Sequence, residues 1–157
     1  MKPSVYIESS VVSYYAARPS RDLVVACHQQ LTHEWWASAR SRYDCYVSPV
    51  VIEEISAGDA AAAERRLAAV AALPVLGVTS KANELAAEYL ERLQIPDESQ
   101  ADAFHLALAS WHGMHYLVTW NCRHIANARV RFVLEEVNSA RGIRTPIVCS
   151  PEELLEA

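Results

Sequence analysis

Four side chains in this sequence are of the types, and at the positions, that could gather around a divalent cation: Glu8, Glu54, Asp102 and Asn121. Glu8 follows the apolar run Val5-Tyr6-Ile7 directly in "SVYIESSVV". Glu54 lies in "SPVVIEEISAG", where Val50, Val51 and Ile55 form an apolar stripe. It stands three residues from Val51 and four from Val50, at the edge of that stripe, which favours it over Glu53. Asp102 interrupts "QADAFHLALASWHG", an otherwise apolar helical run, and a carboxylate buried there needs a partner. Asn121 follows "HYLVTW", the most strongly apolar strand pattern of the chain. Three carboxylates brought together repel one another and raise each other's pKa, so a cation among them stabilises the set. Oxygen ligands without thiolates or paired histidines favour Mg²⁺ or Mn²⁺. Such an ion activates water and stabilises developing charge, which is the chemistry of phosphodiester hydrolysis.

The elements that must position these residues are short apolar strands alternating with helices. Strands are expected at Val5–Ile7, Tyr43–Val47, Val75–Val78, Tyr116–Thr119 and Ile147–Cys149, and helices at 9–16, 22–41, 49–57, 59–72, 80–93, 98–112, 124–141 and 151–156. Ser48-Pro49 reads as an N-cap followed by proline in the first turn, and Ser150-Pro151-Glu152-Glu153 adds a capping-box glutamate. Pro74 and Pro96 close the helices before them, and Gly113 and Gly142 suit C-terminal caps. This alternation predicts a parallel sheet covered on both faces, with ligands bound beyond the carboxyl ends of its strands. Singly, each candidate has an ordinary reading: a solvated loop acid, a surface pair at 53–54, a turn-capping asparagine. Their joint placement at one end of a sheet makes the case.

The 157 residues suit one domain, 1–157, with 52% hydrophobic and 21% charged residues. The net charge of −5 provides no global attraction to nucleic acid, although a local basic rim is enough to meet phosphates. Cys27, Cys45, Cys122 and Cys149 form no C-x-x-C pair and read as free thiols. Glu8 interrupts the first apolar run, so the N-terminus does not read as a signal peptide, and no segment has the length of a membrane helix. The expectation is a soluble, cytoplasmic protein.

The set "YIESS", "SPVVIEEI", "ADAFHLALA" and "LVTWNCRHIA" resembles the PIN-domain nucleases, in particular the VapC-like branch of bacterial toxins. The likeness runs in order from Val5 to about Ser150, and "DAFHLALA" and "VTWN-x-x-HI" are its most specific pieces. It implies a Rossmann-like three-layer α/β/α sandwich with a central parallel sheet and an acidic quartet that binds Mg²⁺ or Mn²⁺. It also implies RNA cleavage as the toxin of a type II toxin–antitoxin pair, an antitoxin partner, and a homodimer. The family's acidic positions fall on Glu8, Glu54, Asp102 and Asn121, and Ser10 matches its supporting hydroxyl residue. Glu8 is one methylene longer than the usual aspartate, and Asn121 lacks the usual charge; both changes weaken or shift an ion.

Other residues are weighed against plainer roles. His105, three residues after Asp102, reads first as a packed or Asp-bonded histidine, and His124 as steadying its loop or meeting a phosphate. Arg18, Arg21, Arg123, Arg129 and Arg131 are the candidates for a phosphate-contacting rim. Trp35-Trp36 could stack on bases, but reads first as core or interface packing. The rival readings are a PIN fold retained to bind RNA or protein with little turnover, and a Rossmann-like small-molecule binder. The second is disfavoured because no glycine-rich turn is present.

Overall fold

The computed structural model describes residues 1–155. Strand β1 (Ser4–Ile7) leads through helices α1 (Ser9–Ala16) and α2 (Leu23–Arg42) to β2 (Asp44–Tyr46). Four helices follow: α3 (Pro49–Ile55), α4 (Ala60–Val70), α5 (Ser80–Leu93) and α6 (Gln100–Trp111). The chain then forms β3 (Tyr116–Val118), α7 (Ala128–Ala140) and β4 (Ile147–Cys149).

All strand pairings are parallel, in the order β2-β1-β3-β4. Successive β1 residues Val5, Tyr6 and Ile7 are each at most 2% exposed, so both faces of the sheet are covered. Right-handed crossovers account for the layers. The path from β1 to β2 runs one way along the sheet, whereas those from β2 to β3 and β3 to β4 run the other. That reversal sets α1 and α2 on one face and α5, α6 and α7 on the opposite one, with α1 packed on α2 and α5 packed on α6 and α7. The reversal occurs between β1 and β3, and a crevice opens at such a switch, beyond the strands' carboxyl ends.

Local chemistry sets the element ends. Ser48 accepts from the Val51 amide and starts α3 with Pro49 in its first turn. Gly113 and Gly142, at φ +68° and +69°, adopt the left-handed conformation that closes α6 and α7. The expected strand at Val75–Val78 is not formed: one bridge joins Val75 to Val47, and Val75 and Val78 remain exposed. Only Leu76 of the run turns into the core, its amide bonding the Val47 carbonyl at 2.8 Å, and the pairing stops there at Gly77 and the exposed Val78. Helix α7 starts at Ala128, not 124, because Asn127 caps it by accepting from the Val130 amide. The expected helix at 151–156 is a 3₁₀ turn over Glu152–Leu154, and its residue 156 lies outside the described residues. The Ser150–Glu153 capping box does form, with the Ser150 amide donating to Glu153 at 2.8 Å. Among the described residues no helix is long and apolar enough to cross a membrane, and the four cysteines are free.

Candidate metal centre

The four residues converge on the crevice between β1 and β3. Glu8, Glu54, Asp102 and Asn121, with Ser10, Ser13, Tyr14 and Trp120, line an open cleft of about 500 Å³. Glu8 leaves β1 as the N-cap of α1, and its carboxylate accepts from the Ser10 amide at 3.1 Å. Its Oε1 also accepts from the Ser10 and Thr119 hydroxyls, each at 2.5 Å. Ser10 Oγ also accepts from the Trp120 amide, tying the start of α1 to the segment after β3, and Thr119 Oγ1 accepts from the Asn121 amide within that segment, each at 2.9 Å. A carboxylate only 5% exposed is thus held by three donors from two elements.

Glu54 is the most open acid, its side chain 37% exposed. Its Oε1 accepts from Ser9 Oγ at 2.6 Å and meets His105 Nε2 at 2.5 Å. Its Oε2 accepts no hydrogen bond from the described residues and is left to the cleft. Burial works to raise the Glu54 carboxyl, but the hydrogen bond and charge of His105, with the Ser9 hydroxyl, hold it below the usual glutamate value. His105 is fully buried; its Nδ1 meets Tyr6 Oη at 2.6 Å, and Tyr6 Oη meets Ser48 Oγ at 2.7 Å. Burial alone would lower the His105 pKa, yet the Glu54 hydrogen bond and the charges of Glu8, Glu54 and Asp102 raise it. So His105 is packed, as its plainer reading had it, but bonded to Glu54 and not to Asp102.

Asp102 receives Asn121 Nδ2 at 3.1 Å on Oδ1, and faces His124 Nδ1 at 2.9 Å through Oδ2. Burial raises its pKa despite these partners. Asn121 Oδ1 accepts the His124 amide at 3.0 Å, so one asparagine orients both the acid and the loop beyond β3.

This oxygen-rich donor set suits a hard divalent cation. Three carboxylates face one open cleft, and Glu54 Oε2 has no other partner. Ligand atoms of Glu8, Glu54 and His105 lie within 4.8 Å of one another. Of that trio the carboxylates are the better ligands, because both His105 nitrogens are already engaged with Tyr6 and Glu54.

The rim residues are spread more widely than the acids. Arg123 and Arg129 line a second hollow of about 560 Å³ together with His124, Leu93 and Pro96. Arg18 and Arg21 are exposed and do not line the cleft. Arg131 donates to the Val148 carbonyl at 3.2 Å and lies along edge strand β4, away from the acids. Trp35 is fully buried, and Trp36 stacks on Tyr15 with ring centroids 4.2 Å apart, so neither faces the cleft. Sequence reasoning missed Ser9, Thr119, Tyr6 and Ser48. Of these, only Thr119 carried a signal, as a hydroxyl between the end of a buried strand and Asn121.

Comparison with known proteins agrees with this geometry at the level of the fold. One solved structure that shares the fold is VapC20 of Mycobacterium tuberculosis, described as a Sarcin-Ricin loop cleaving toxin. The TM-score is 0.57 at 19% identity, over 77% of this chain and 92% of that one. Another is VapBC2 of Rickettsia felis, solved bound to a DNA fragment from its promoter. Its TM-score is 0.56 at 14% identity, over 93% of this chain and 98% of that one. The chain has the Rossmann-like α/β PIN fold. No protein-family model and no curated protein sequence matches it.

Proposed function

We propose that this chain is a divalent-metal-dependent endoribonuclease, the toxin of a type II toxin–antitoxin pair acting in the cytoplasm. The observation that carries the reading is one open cleft at the β1/β3 switch lined by Glu8, Glu54 and Asp102, with ligand atoms of Glu8 and Glu54 within 4.8 Å of each other. The VapC-like fold supports the same reading. Glu8, Glu54 and Asp102, with Asn121, would hold Mg²⁺ or Mn²⁺. When bound, the ion lowers the pKa of a water and offsets the charge that builds on the phosphoryl oxygens. The chain's own residues set the geometry: Ser10 and Thr119 fix Glu8, Ser9 and His105 fix Glu54, and Asn121 and His124 fix Asp102. Arg123 and Arg129, in the hollow that runs on from His124, are placed to meet phosphates of the strand.

The test is RNA cleavage with Mg²⁺ or Mn²⁺, repeated with excess chelator and with Asp102→Ala. Loss of activity in both arms is expected; activity that survives both overturns the reading. The homodimer and an antitoxin partner belong to the same proposal. Sedimentation of the purified chain, and relief of its toxicity by the product of an adjacent short reading frame, test those parts.

A second reading rests on Asn121. Its amide group already bonds Asp102 and the His124 backbone and adds no charge, as expected of a PIN fold that binds RNA with little turnover. Cleavage by Glu8→Asp/Asn121→Asp that far exceeds the parent's would show a nuclease site weakened in this chain.

A further inference from the structure

Beside the acids, one wall of the cleft is aromatic. Tyr14 stands four residues after Ser10 on α1, about one helical turn and roughly 6 Å further along the same face. Trp120 is the single residue between Thr119, which holds Glu8, and Asn121, which holds Asp102. Its indole is locked from two sides. Nε1 donates to the buried Thr32 hydroxyl at 2.7 Å, and the His28 ring stacks on it with centroids 4.1 Å apart and planes 10° from parallel. Tyr14 meets both rings edge to face, at 5.9 Å from His28 and 6.4 Å from Trp120. Both Tyr14 and Trp120 line the cleft and are only partly buried.

A packing role alone does not account for this arrangement. Core packing would hide these rings, as it hides Trp35; instead, two of them remain open to the cleft that holds the carboxylates. Three supports hold the indole at a fixed offset from the acids, so little ordering remains to be lost when a flat ligand arrives. Aromatic side chains that line a nucleic-acid groove bind bases through their π-faces, whatever the base.

We infer that Tyr14 and Trp120, braced by His28 and Thr32, form a nucleobase-stacking subsite that seats the base of the nucleotide flanking the scissile phosphate. The subsite rests on the nuclease reading for the course of the strand, and deepens it by assigning a recognition element. It binds an unpaired base and ranks bases by stacking strength.

The test is a binding measurement, so that it stands apart from catalysis. Fluorescence anisotropy with Mg²⁺ would compare labelled oligoadenylate, oligouridylate and an abasic ribose-phosphate oligomer on the non-cleaving Asp102→Asn protein. The expected order of affinity is oligoadenylate, then oligouridylate, then abasic. Adding Tyr14→Ala should weaken oligoadenylate by on the order of 10-fold and leave the abasic oligomer nearly unchanged, whereas Tyr14→Phe keeps the parent's ranking. Trp120→Phe, which keeps a ring but shortens it and loses the Thr32 bond, should fall between. Equal affinity for all three oligomers, or an equal loss on all three with Tyr14→Ala, overturns the subsite. Base-ranked binding by a protein that cleaves no RNA keeps the subsite and removes the nuclease. Cleavage indifferent to Tyr14 does the reverse.

Discussion

Each acid of the cleft carries its own escort of donors, and that escort decides what a single substitution does. Glu8 is the clearest case, because three donors serve a nearly buried carboxylate. Thr119→Val keeps the shape of the side chain and removes one of the three. The expected cost is about 1–3 kcal/mol, read as a lower urea midpoint with chelator present, since the charged acceptor has one partner fewer and the Asn121 amide loses its acceptor. An unchanged midpoint would show that the hydroxyl does not hold the acid. Asn121→Asp works in the opposite sense and depends on the ion. It replaces a donor 3.1 Å from Asp102 Oδ1 with a like charge, so without metal the protein should lose on the order of 1–3 kcal/mol. Mn²⁺ should then raise the melting temperature of this variant more than that of the parent. An equal rise in both proteins would place Asn121 away from the ion.

At the scale of elements, the ends of the helices matter most. Three of them close on a left-handed residue: α5 on Gln94, α6 on Gly113 and α7 on Gly142. In α7 the Ile143 amide returns to the Asn138 carbonyl at 2.8 Å, closing the last turn. A methyl group at Gly142 would meet no atom within 4 Å, so Gly142→Ala should cost only its backbone strain, about 1 kcal/mol. Gln94→Gly relieves the same strain at φ 53° and should gain a similar amount, about 1 kcal/mol. Thermal melts of the two variants should move in opposite directions. The same local signals made much of the architecture readable in advance. Ser48-Pro49, Gly113 and Gly142 state where helices start and stop, and the apolar runs ending at Ile7 and Val118 state which strands are buried. The segment 75–78 misled because β-branched residues raise strand propensity wherever they fall, while only Leu76 there is buried and pairing stops at one bridge. The acids were readable because a carboxylate in an apolar helix or at a strand end departs from pattern. Their supports were not. Ser9 reaches Glu54 across 45 residues and Thr119 reaches Glu8 across 111, and spacing along a chain holds no trace of such pairs.

For the molecule as a whole, topology and charge pull in different directions. The reversal of strand order opens the crevice between β1 and β3, while the net charge of −5 opposes approach of a polyanion to the surface at large. Any phosphate attraction is therefore local, and Arg123 and Arg129 are its best-placed sources because their hollow continues from His124. A single-stranded oligonucleotide releases roughly 0.7 counterions for each phosphate neutralised, so an interface of few contacts has a shallow dependence of affinity on salt. Binding of a single-stranded RNA to the non-cleaving Asp102→Asn protein, measured across a salt series, should give a small slope of log affinity against log salt. Arg123→Ala/Arg129→Ala should reduce that slope by about 1 to 1.5, with a loss of affinity that is greatest at low salt and fades as salt rises. Arg131→Ala should leave the slope unchanged, because its guanidinium is bonded to the Val148 carbonyl along β4. A slope that ignores the first pair and falls with Arg131 would move the strand's path off the cleft, to the far edge of the sheet.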